Sequence, residues 1–333
     1  MIRTFPNLPK ITIVTPVYNE ELCLEAYRQH LETNLFTEPN VDFEVIFVDD
    51  GSTDKSWEII EKICQESPRF RALRLSRNFG SHVALSAGLQ HAKGDAVATL
   101  ACDLQDPPST ILEFIEKWQN GAKIVWGKRR QRADQTWRRW TSNIFFALLK
   151  KYAMPKNSKF TTGSFFLIDR SVVKCFKRFR EHNRITFALV AWTGFDQEVV
   201  VYDRLARFAG KSGWTFSQML KTLGDAFVAF SNLPARAITT LGISIWIASS
   251  IYAAYLVIRY FSTNVLPGWT GLMLVISFMF GMVFLVLGLA VEYLRRIHIE
   301  VTSRPLYFIS EKVNFIKKRD VHEKLHELVT SQN

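Results

Sequence analysis

The chain has 333 residues, enough for one large α/β domain with appended helices, because single hydrophobic cores stop growing at roughly 250 to 300 residues. Its formal charge of +11, from 42 Lys and Arg against 31 Asp and Glu, predicts an acidic partner, and the lack of any recognisable RNA- or DNA-binding module argues against nucleic acid. The four cysteines form no C-x-x-C pair, which argues against a disulfide framework and a zinc site.

The N-terminal part alternates short apolar runs with helical patterns. Residues 11–16 and 43–49 are β-branched and aromatic runs with almost no alternation, as in strands buried on both faces of a parallel sheet. Helical patterns at 20–35 and 54–64, a strand at 70–75, a helix at 82–92 and a strand at 95–100 continue the order. This order predicts a doubly wound α/β sheet, in which ligands bind beyond the carboxyl ends of the strands. The first residues lack the apolar stretch of a signal peptide, so this domain is expected in the cytoplasm.

Two apolar segments follow. Residues 237–258 carry no charge and residues 272–291 are almost wholly apolar, and each spans about 30 Å as a helix. The short loop between them contains Asn, Pro and Gly, which favours a transmembrane hairpin over two buried core helices. Basic residues before the first span and after the second predict that both termini are cytoplasmic. Residues 216–230 fit either an amphipathic interfacial helix or an ordinary core helix.

Polar side chains follow the first two predicted strands. Residues 15–20, ThrProValTyrAsnGlu, place a proline and polar groups at the first strand end. Asp49 and Asp50 close the second strand, directly before a glycine turn and a helix, an arrangement that suits hydrogen bonding to a base and a ribose. The alternative explanation is helix capping, which accounts for Ser52 and Asp54. Capping does not require two adjacent carboxylates such as Asp49 and Asp50.

The fourth predicted strand ends in another acidic group. Asp103, Gln105 and Asp106 stand there, directly before two prolines. Hard oxygen ligands at this point suit Mg²⁺ or Mn²⁺ holding a diphosphate, whereas the alternative is a polar loop. Three acidic strand ends meeting in one crevice favour a bound cation, because their charges would otherwise be unopposed.

In combination these motifs resemble the family 2 glycosyltransferases of GT-A fold, and within them the polyprenyl-phosphate hexosyltransferases of the bactoprenol glucosyltransferase and dolichol-phosphate mannose synthase type. The resemblance covers nearly the whole chain, through the paired spans and TPVYNE (15–20), VDDGSTD (48–54), LSRNFGSH (75–82), DLQDPP (103–108) and EYLRRI (292–297). It implies a GT-A doubly wound mixed sheet with a C-terminal two-helix transmembrane hairpin. The expected divisions are a cytoplasmic catalytic domain at 1–210, an amphipathic juxtamembrane helix at 211–235, two transmembrane helices within 236–296 and a cytoplasmic tail at 297–333.

The resemblance also implies an activity. A hexose would pass with inversion from a nucleotide sugar, most commonly UDP-glucose in this subfamily, to undecaprenyl or another polyprenyl phosphate at the cytoplasmic face of a bacterial inner membrane. The lipid-linked sugar would serve cell-surface polysaccharide modification such as that of O-antigen in lipopolysaccharide. Mg²⁺ or Mn²⁺ is the implied cofactor, membrane lipid is a further partner, and pairing of two copies through their spans is left open.

Site residues are assigned from the motifs and the resemblance together. The expected nucleotide-sugar pocket consists of Pro16, Tyr18, Glu20, Asp49, Asp50, Arg77 and Asp103. The expected metal ligands are Asp103 and Gln105, and the catalytic group adds Arg207 and Ser164 to these two. The expected acceptor-phosphate residues are Arg129, Arg130, Arg138, Ser142, Arg204 and Lys211.

Two positions depart from the family pattern. Ala101 stands where relatives often carry Asp, and Ser164 stands where they commonly carry an Asp that is a candidate base. Because a phosphate monoester has its second pKa at about 6, the acceptor is already largely ionised and needs little proton abstraction. The departures leave a non-catalytic scaffold as one alternative. A processive polysaccharide synthase is another, disfavoured because two spans are too few for a polymer channel.

Overall fold

The computed structural model describes residues 8–130, 159, 163–182, 184–205 and 268–315, with single positions between 240 and 258. The elements within these residues follow one another as β1 (Lys10–Val17), α1 (Leu24–Asn34), β2 (Asp42–Asp49), α2 (Ser56–Glu66), β3 (Phe70–Leu75), α3 (Ser81–His91), β4 (Ala96–Thr99), α4 (Thr110–Gln119), β5 (Ile124–Arg129), β6 (Phe166–Asp169), α5 (Arg170–Phe176), α6 (Thr186–Trp192), β7 (Gln197–Tyr202), α7 (Trp269–Thr302) and β8 (Ile309–Val313).

The described strands form one mixed sheet in the order β7-β5-β6-β4-β1-β2-β3-β8. Parallel pairs join β1 to β2 and β4, β2 to β3, and β5 to β7. Strand β6 runs antiparallel to β4 and β5, and β8 runs antiparallel to β3. The carboxyl ends of β1 to β5 and β7 therefore meet at one edge, and the predicted α/β fold with a mixed sheet is confirmed.

The apolar pattern of the sequence explains these elements. All but the first residue of β2 is buried, as expected for a strand covered on both faces. Helix α2 buries Trp57, Ile60 and Cys64, which lie on one face at helical spacing. Gly88 lets α3 approach β1 closely, because a Cβ there would lie 2.2 Å from Cγ1 of Val14. The core thus fixes the strands whose ends carry the predicted site.

Asp169 ties three elements together at the opposite edge of the sheet. It is buried at the end of β6 and caps α5 by accepting the Ser171 N–H at 2.9 Å. It also accepts from Trp118 Nε1 at 2.9 Å and from Lys123 Nζ at 3.1 Å. Burial alone would raise the pKa of Asp169, but the hydrogen bonds from Ser171, Trp118 and Lys123 outweigh burial and lower that pKa to about 2.

The chain divides into two compact units. One is built on the sheet and includes the described residues up to Leu205 and again from Pro305, and the other contains the described residues from Thr240 to Arg304. Within the described residues one helix, α7, holds a segment long and apolar enough to cross a membrane, Phe278–Thr302. The first predicted span, 237–258, and the predicted juxtamembrane helix lie largely or wholly outside the described residues.

The C-terminal part differs from the predicted tail at 297–333. Helix α7 continues past the expected boundary at 296 to Thr302, and β8 then adds an edge strand to the sheet beside β3. The Asn314 side chain anchors the end of β8 by donating to the carbonyls of Cys64 and Phe70, at 2.6 and 2.8 Å. Residues 309–313 therefore belong to the sheet-bearing unit and not to a separate tail.

Candidate active site at the carboxyl edge of the sheet

The loops that follow β1 and β2 are joined by hydrogen bonds between backbone and side chains. The Asn19 N–H donates to Ser52 Oγ at 3.0 Å, and the Thr53 N–H donates to Asn19 Oδ1 at 2.9 Å. The Glu20 N–H donates to Ser56 Oγ at 2.9 Å. Asn19 adopts a φ of 54°, a left-handed conformation that Asn tolerates better than most residues. These bonds fix the backbone of the loop that carries the predicted pocket residues of the first motif.

The three predicted residues of the first motif differ in exposure. Pro16 is half-buried within β1, Glu20 is half-buried in the following loop, and Tyr18 has 45% of its surface exposed. An exposed aromatic ring at the carboxyl edge of the sheet is available to stack on a flat ligand. The structure therefore leaves Tyr18 accessible and holds its neighbours in place.

Asp49 lies at the end of β2 and is fully buried. Its Oδ1 accepts the Ser52 N–H at 3.2 Å, and its Oδ2 lies 3.4 Å from Nε of Arg74. Burial raises the pKa of Asp49, although the contacts with Ser52 and Arg74 oppose the rise. The carboxylate thus has a cation beside it that the sequence analysis did not identify.

Asp50 supports the loop that follows β3. Its two carboxylate oxygens accept the N–H groups of Phe79 and Gly80, each at 2.8 Å. Burial raises the pKa of Asp50 to about 6 against the effect of these two bonds. In addition to the predicted nucleotide contact, Asp50 therefore has a role in organising the protein's own backbone.

Gly51 brings the loops after β2 and β3 into contact. It has a φ of +70°, and a Cβ at this position would lie 2.6 Å from the carbonyl carbon of Arg77 and 2.8 Å from the amide nitrogen of Asn78. The exposed Arg77 guanidinium lies over the Phe79 ring, 4.1 Å from its centroid. Close packing of these loops therefore brings Arg77 to the same edge as Asp49 and Asp50.

The loop after β4 holds the predicted metal ligands. Asp103 is buried, with 7% of its surface exposed, and its Oδ1 accepts the Gln105 N–H at 3.2 Å. Between them Leu104 has a φ of 56°, an uncommon conformation for a branched residue. Strand β4 pairs in parallel with β1, and Cys102 Sγ lies 4.0 Å from the carbonyl oxygen of Pro16. The first and fourth strand ends are therefore neighbours.

The Asp103 loop can supply hard oxygen ligands but not a complete coordination shell. Within the described part of the chain, no three His, Cys, Asp or Glu side chains are grouped to hold a metal ion. Mg²⁺ is commonly held by one or two carboxylates together with substrate phosphates and waters. The Asp103 carboxylate and the Gln105 amide oxygen fit this mode, in which a diphosphate supplies the remaining ligands.

Asp106 is the centre of a cluster that the sequence analysis did not predict. This carboxylate is 5% exposed, and its Oδ1 accepts the Tyr202 hydroxyl at 2.6 Å. The same oxygen lies 3.6 Å from Nε of Arg204 and 3.8 Å from Nε of Arg129. Arg129 Nε also donates to the Tyr202 hydroxyl oxygen at 3.3 Å. Two of the predicted acceptor-phosphate residues therefore meet at one buried acid.

Two of the strand-end carboxylates have cations beside them. The strand-end carboxylates were expected to lack opposing charge, but Asp49 faces Arg74, and Asp106 faces Arg129 and Arg204. Their convergence alone therefore does not require a metal ion. These ion pairs join residues at the ends of different strands, and no local sequence pattern connects the acids with their arginines.

The other predicted site residues make fewer contacts with the acids at the strand ends. Arg130 forms an exposed ion pair with Asp203 at 3.1 Å. The Ser164 side chain is exposed, and its carbonyl accepts from the Thr99 hydroxyl. The backbone N–H of Leu205 donates to the Gln105 carbonyl at 2.8 Å, which joins the loop after β7 to the predicted metal loop. The predicted residues that lie outside the described part are Arg138, Ser142, Arg207 and Lys211.

Comparison with known proteins identifies the family. Residues 12–176 match the family model described as Glycosyl transferase family 2. An uncharacterized glycosyltransferase of Synechocystis sp. is 37% identical over 91% of this chain and 95% of its own length. A prophage-derived bactoprenol glucosyl transferase of Shigella flexneri is 35% identical over 91% of this chain and 98% of its own length. Among solved structures, S. aureus TarS 1-349 in complex with UDP-GlcNAc aligns with a TM-score of 0.46 at 18% identity and covers 66% of each chain. The chain belongs to glycosyltransferase family 2.

Proposed function

We propose that this glycosyltransferase moves a hexose, glucose from UDP-glucose, onto undecaprenyl phosphate or a similar polyprenyl phosphate. The observation that carries the proposal is the 35% identity with a bactoprenol glucosyl transferase over 91% of this chain, a span too long to be confined to the nucleotide-binding half. The product is a lipid-linked sugar for cell-surface polysaccharide modification, including that of O-antigen.

The donor side of the proposed reaction uses the loops after β1, β2 and β3. Tyr18 offers an exposed ring to the base, and Glu20 and Asp50 supply carboxylates for the nucleoside, with Pro16 shaping the wall. Asp49 is fully buried beside Arg74, so its proposed part is to hold the end of β2 that carries Asp50. Arg77 lies on the loop that Asp50 holds and provides positive charge for the diphosphate. Support for this arrangement comes from the hydrogen bonds that join the three loops.

Asp103 and Gln105 would hold Mg²⁺ or Mn²⁺ in this proposal. Bound there, the cation would supply neutralisation of the charge that develops on the leaving nucleoside diphosphate. Arg207 is proposed to add a further positive charge, and Ser164 to contact the acceptor or the sugar. The residues of the chain thus align the donor and stabilise its departure, and an already ionised phosphate needs no strong base.

The acceptor side is proposed to collect basic residues from two regions. The proposed acceptor-phosphate residues are Arg129, Arg130, Arg138, Ser142, Arg204 and Lys211. Arg129 and Arg204 lie near one another through their common contact with Asp106, which supports a phosphate-binding role for this pair. Attack by the acceptor phosphate on the anomeric carbon opposite the leaving diphosphate would invert the configuration and give a β-linked product from an α-linked donor.

Membrane attachment follows from the chemistry of the acceptor. The exposed apolar residues of α7, such as Phe278 and Phe284, suit a lipid environment, and residues 237–258 are proposed as a second span. The proposed topology is multi-pass in the bacterial inner membrane, with the catalytic domain at 1–210 and both termini in the cytoplasm. Residues 211–235 are proposed as an interfacial helix leading into the spans at 236–296.

The test uses purified full-length protein in detergent with undecaprenyl phosphate, Mg²⁺ or Mn²⁺ and a panel of radiolabelled nucleotide sugars. Labelled lipid is expected from UDP-glucose, with loss of activity in a chelator and a decrease in kcat of about a hundredfold or more in Asp103→Asn. The matched control is Asp42→Asn, which removes a carboxylate at the start of β2, on the opposite edge. Labelled lipid formed equally by Asp103→Asn would remove the metal assignment. If the wild-type protein formed no labelled lipid with any donor, a non-catalytic scaffold would be favoured.

A further inference from the structure

Three side chains converge on a single oxygen at the carboxyl edge of the sheet. Asp106 Oδ1 accepts a hydrogen bond from the Tyr202 hydroxyl and faces the Nε atoms of Arg129 and Arg204. Asp106 belongs to the loop after β4, Arg129 ends β5, Tyr202 ends β7 and Arg204 follows β7. The cluster therefore connects three strand ends through one buried acid.

The charges of the cluster leave it net positive. Two guanidinium groups share one carboxylate, so Arg129, Arg204 and Asp106 together carry one positive charge. Burial lowers the pKa of Arg204, and the nearby Arg129 lowers it further, whereas the carboxylates of Asp106 and Asp103 oppose this decrease. Without an acid between them the two side chains would repel one another and separate. Asp106 therefore permits a local positive charge that the two arginines could not maintain in a fixed geometry alone.

The contacts with Asp106 orient the guanidinium groups of Arg129 and Arg204, because each group has its Nε atom facing the carboxylate. Asp106 lies beside Nε in both cases, whereas the forked terminal nitrogens of a guanidinium are those that bind a phosphate in bidentate fashion. The Tyr202 hydroxyl, which donates to Asp106 and accepts from Arg129, adds a second connection. In this arrangement the buried acid holds the Nε side of each guanidinium, and the terminal nitrogens of the arginine pair are the groups that would bind the ligand.

We propose that Asp106 is a positioning residue that sets the separation and orientation of Arg129 and Arg204 for a phosphate group of the substrates. This inference rests on the proposed function, because it assigns the two arginines to a reacting phosphate. Asp106 itself touches no substrate. It fixes the cations that do, so its loss misaligns the reaction without removing positive charge from the site.

This role predicts a separation of binding from turnover. Asp106→Asn keeps an oxygen that can accept from Tyr202 but removes a negative charge next to an anionic ligand. The kcat is expected to fall at least tenfold, because a misplacement of about 1 Å can cost a hundredfold in rate. The Kd for UDP, measured by calorimetry, is expected to change by less than about twofold if the arginines bind the acceptor phosphate and to rise if they bind the departing diphosphate, with Tm unchanged in both cases. Asp106→Glu, which restores the charge, is expected to recover part of kcat. The matched control is Glu198→Gln, which removes an acid at the other end of β7 and should leave kcat unchanged.

A second set of variants covers the case in which Asp106→Asn does not fold. Arg129→Lys and Arg204→Lys keep each positive charge but remove the Nε atom beside Asp106, and each is expected to lower kcat several-fold. The substrate whose KM rises in these variants shows which phosphate the two arginines bind. A higher KM for polyprenyl phosphate indicates the acceptor phosphate. A higher KM for the nucleotide sugar indicates the departing diphosphate.

Two results would overturn the positioning role. One is a kcat within twofold of wild type in Asp106→Asn. The other is a parallel loss of UDP affinity, kcat and Tm, which a merely structural residue would produce. Wild-type protein that transfers no sugar to polyprenyl phosphate would instead refute the proposed function, and the two failures are therefore distinguishable.

Discussion

Asp169 offers a way to separate stability from catalysis, because it lies on the edge of the sheet opposite the proposed site. Asp169→Asn replaces one carboxylate oxygen by an amide nitrogen, which donates hydrogen bonds and cannot accept them. One buried donor among Trp118 and Ser171 then loses its partner, which costs about 1 to 3 kcal/mol, and the remaining bonds lose their charged acceptor. The expected loss in the free energy of unfolding is about 2 to 4 kcal/mol. At roughly 2 to 4 °C per kcal/mol for a unit of this size, Tm should fall by about 5 to 15 °C.

The pH dependence of this loss has a definite sign. The pKa of Asp169 is lowered in the folded state from 3.8 to about 2, so the stabilisation is complete above pH 4 and disappears as the pH falls through 2. At 1.36 kcal/mol per pKa unit the titrating part is about 2.5 kcal/mol. The difference in unfolding free energy between wild type and Asp169→Asn should therefore shrink by about 1.8 kcal/mol between pH 4 and pH 2, and the rest is lost on either side of this range.

The assay is thermal unfolding followed by circular dichroism in detergent across this pH range, with transfer activity measured at 20 °C. Activity per folded molecule should stay within twofold of wild type. Glu116→Gln, on an exposed position of α4, serves as the control and should leave Tm unchanged. A Tm within 1 °C of wild type, or a stability difference that grows as the pH falls, would refute the reasoning.

Three further changes test the site and its surroundings. Gly51→Ala forces a Cβ to within 2.6 Å of the Arg77 carbonyl carbon, so the KM for the nucleotide sugar should rise at least tenfold in initial-rate kinetics while that for polyprenyl phosphate stays constant. Tyr202→Phe removes the 2.6 Å bond to Asp106 and should lower kcat about threefold to tenfold at unchanged UDP affinity. Asn314→Ala removes both bonds that anchor the end of β8, which should cost about 1 to 2 kcal/mol and speed hydrogen exchange in β3 and β8. An unchanged KM, kcat or exchange rate, respectively, would contradict each expectation.

The part of the fold that local pattern determines could be predicted closely. Strand β3 has the expected bounds, and β1, β2 and β4 differ from expectation by one or two residues, because buried apolar runs specify strands directly. Helix α2 begins at Ser56 and not at Asp54, because the Asp54 side chain accepts the Ser56 N–H at 3.0 Å and so precedes the first turn. The α/β architecture thus follows from hydrophobic periodicity.

Contacts distant in sequence could not be predicted. Strand β8 is five residues long and reads IleSerGluLysVal, a pattern too short and too polar to indicate a strand without its partner. The pairing of Arg74 with Asp49 and Glu311 likewise joins residues as far as 237 positions apart. For the site, the motif identified the acids, but only the folded chain reveals which of them has an arginine beside it.

The return of the chain to the sheet at β8 constrains how a soluble fragment can be made. A fragment that stops before α7 would leave β3 as an edge strand, with unpaired backbone groups open to association with other molecules. Excision of the apolar segment, with a flexible linker joining the chain near Leu205 to the chain near Pro305, would retain the edge strand and its Asn314 anchor. Such a deletion is expected to yield a monodisperse preparation where simple truncation gives aggregates.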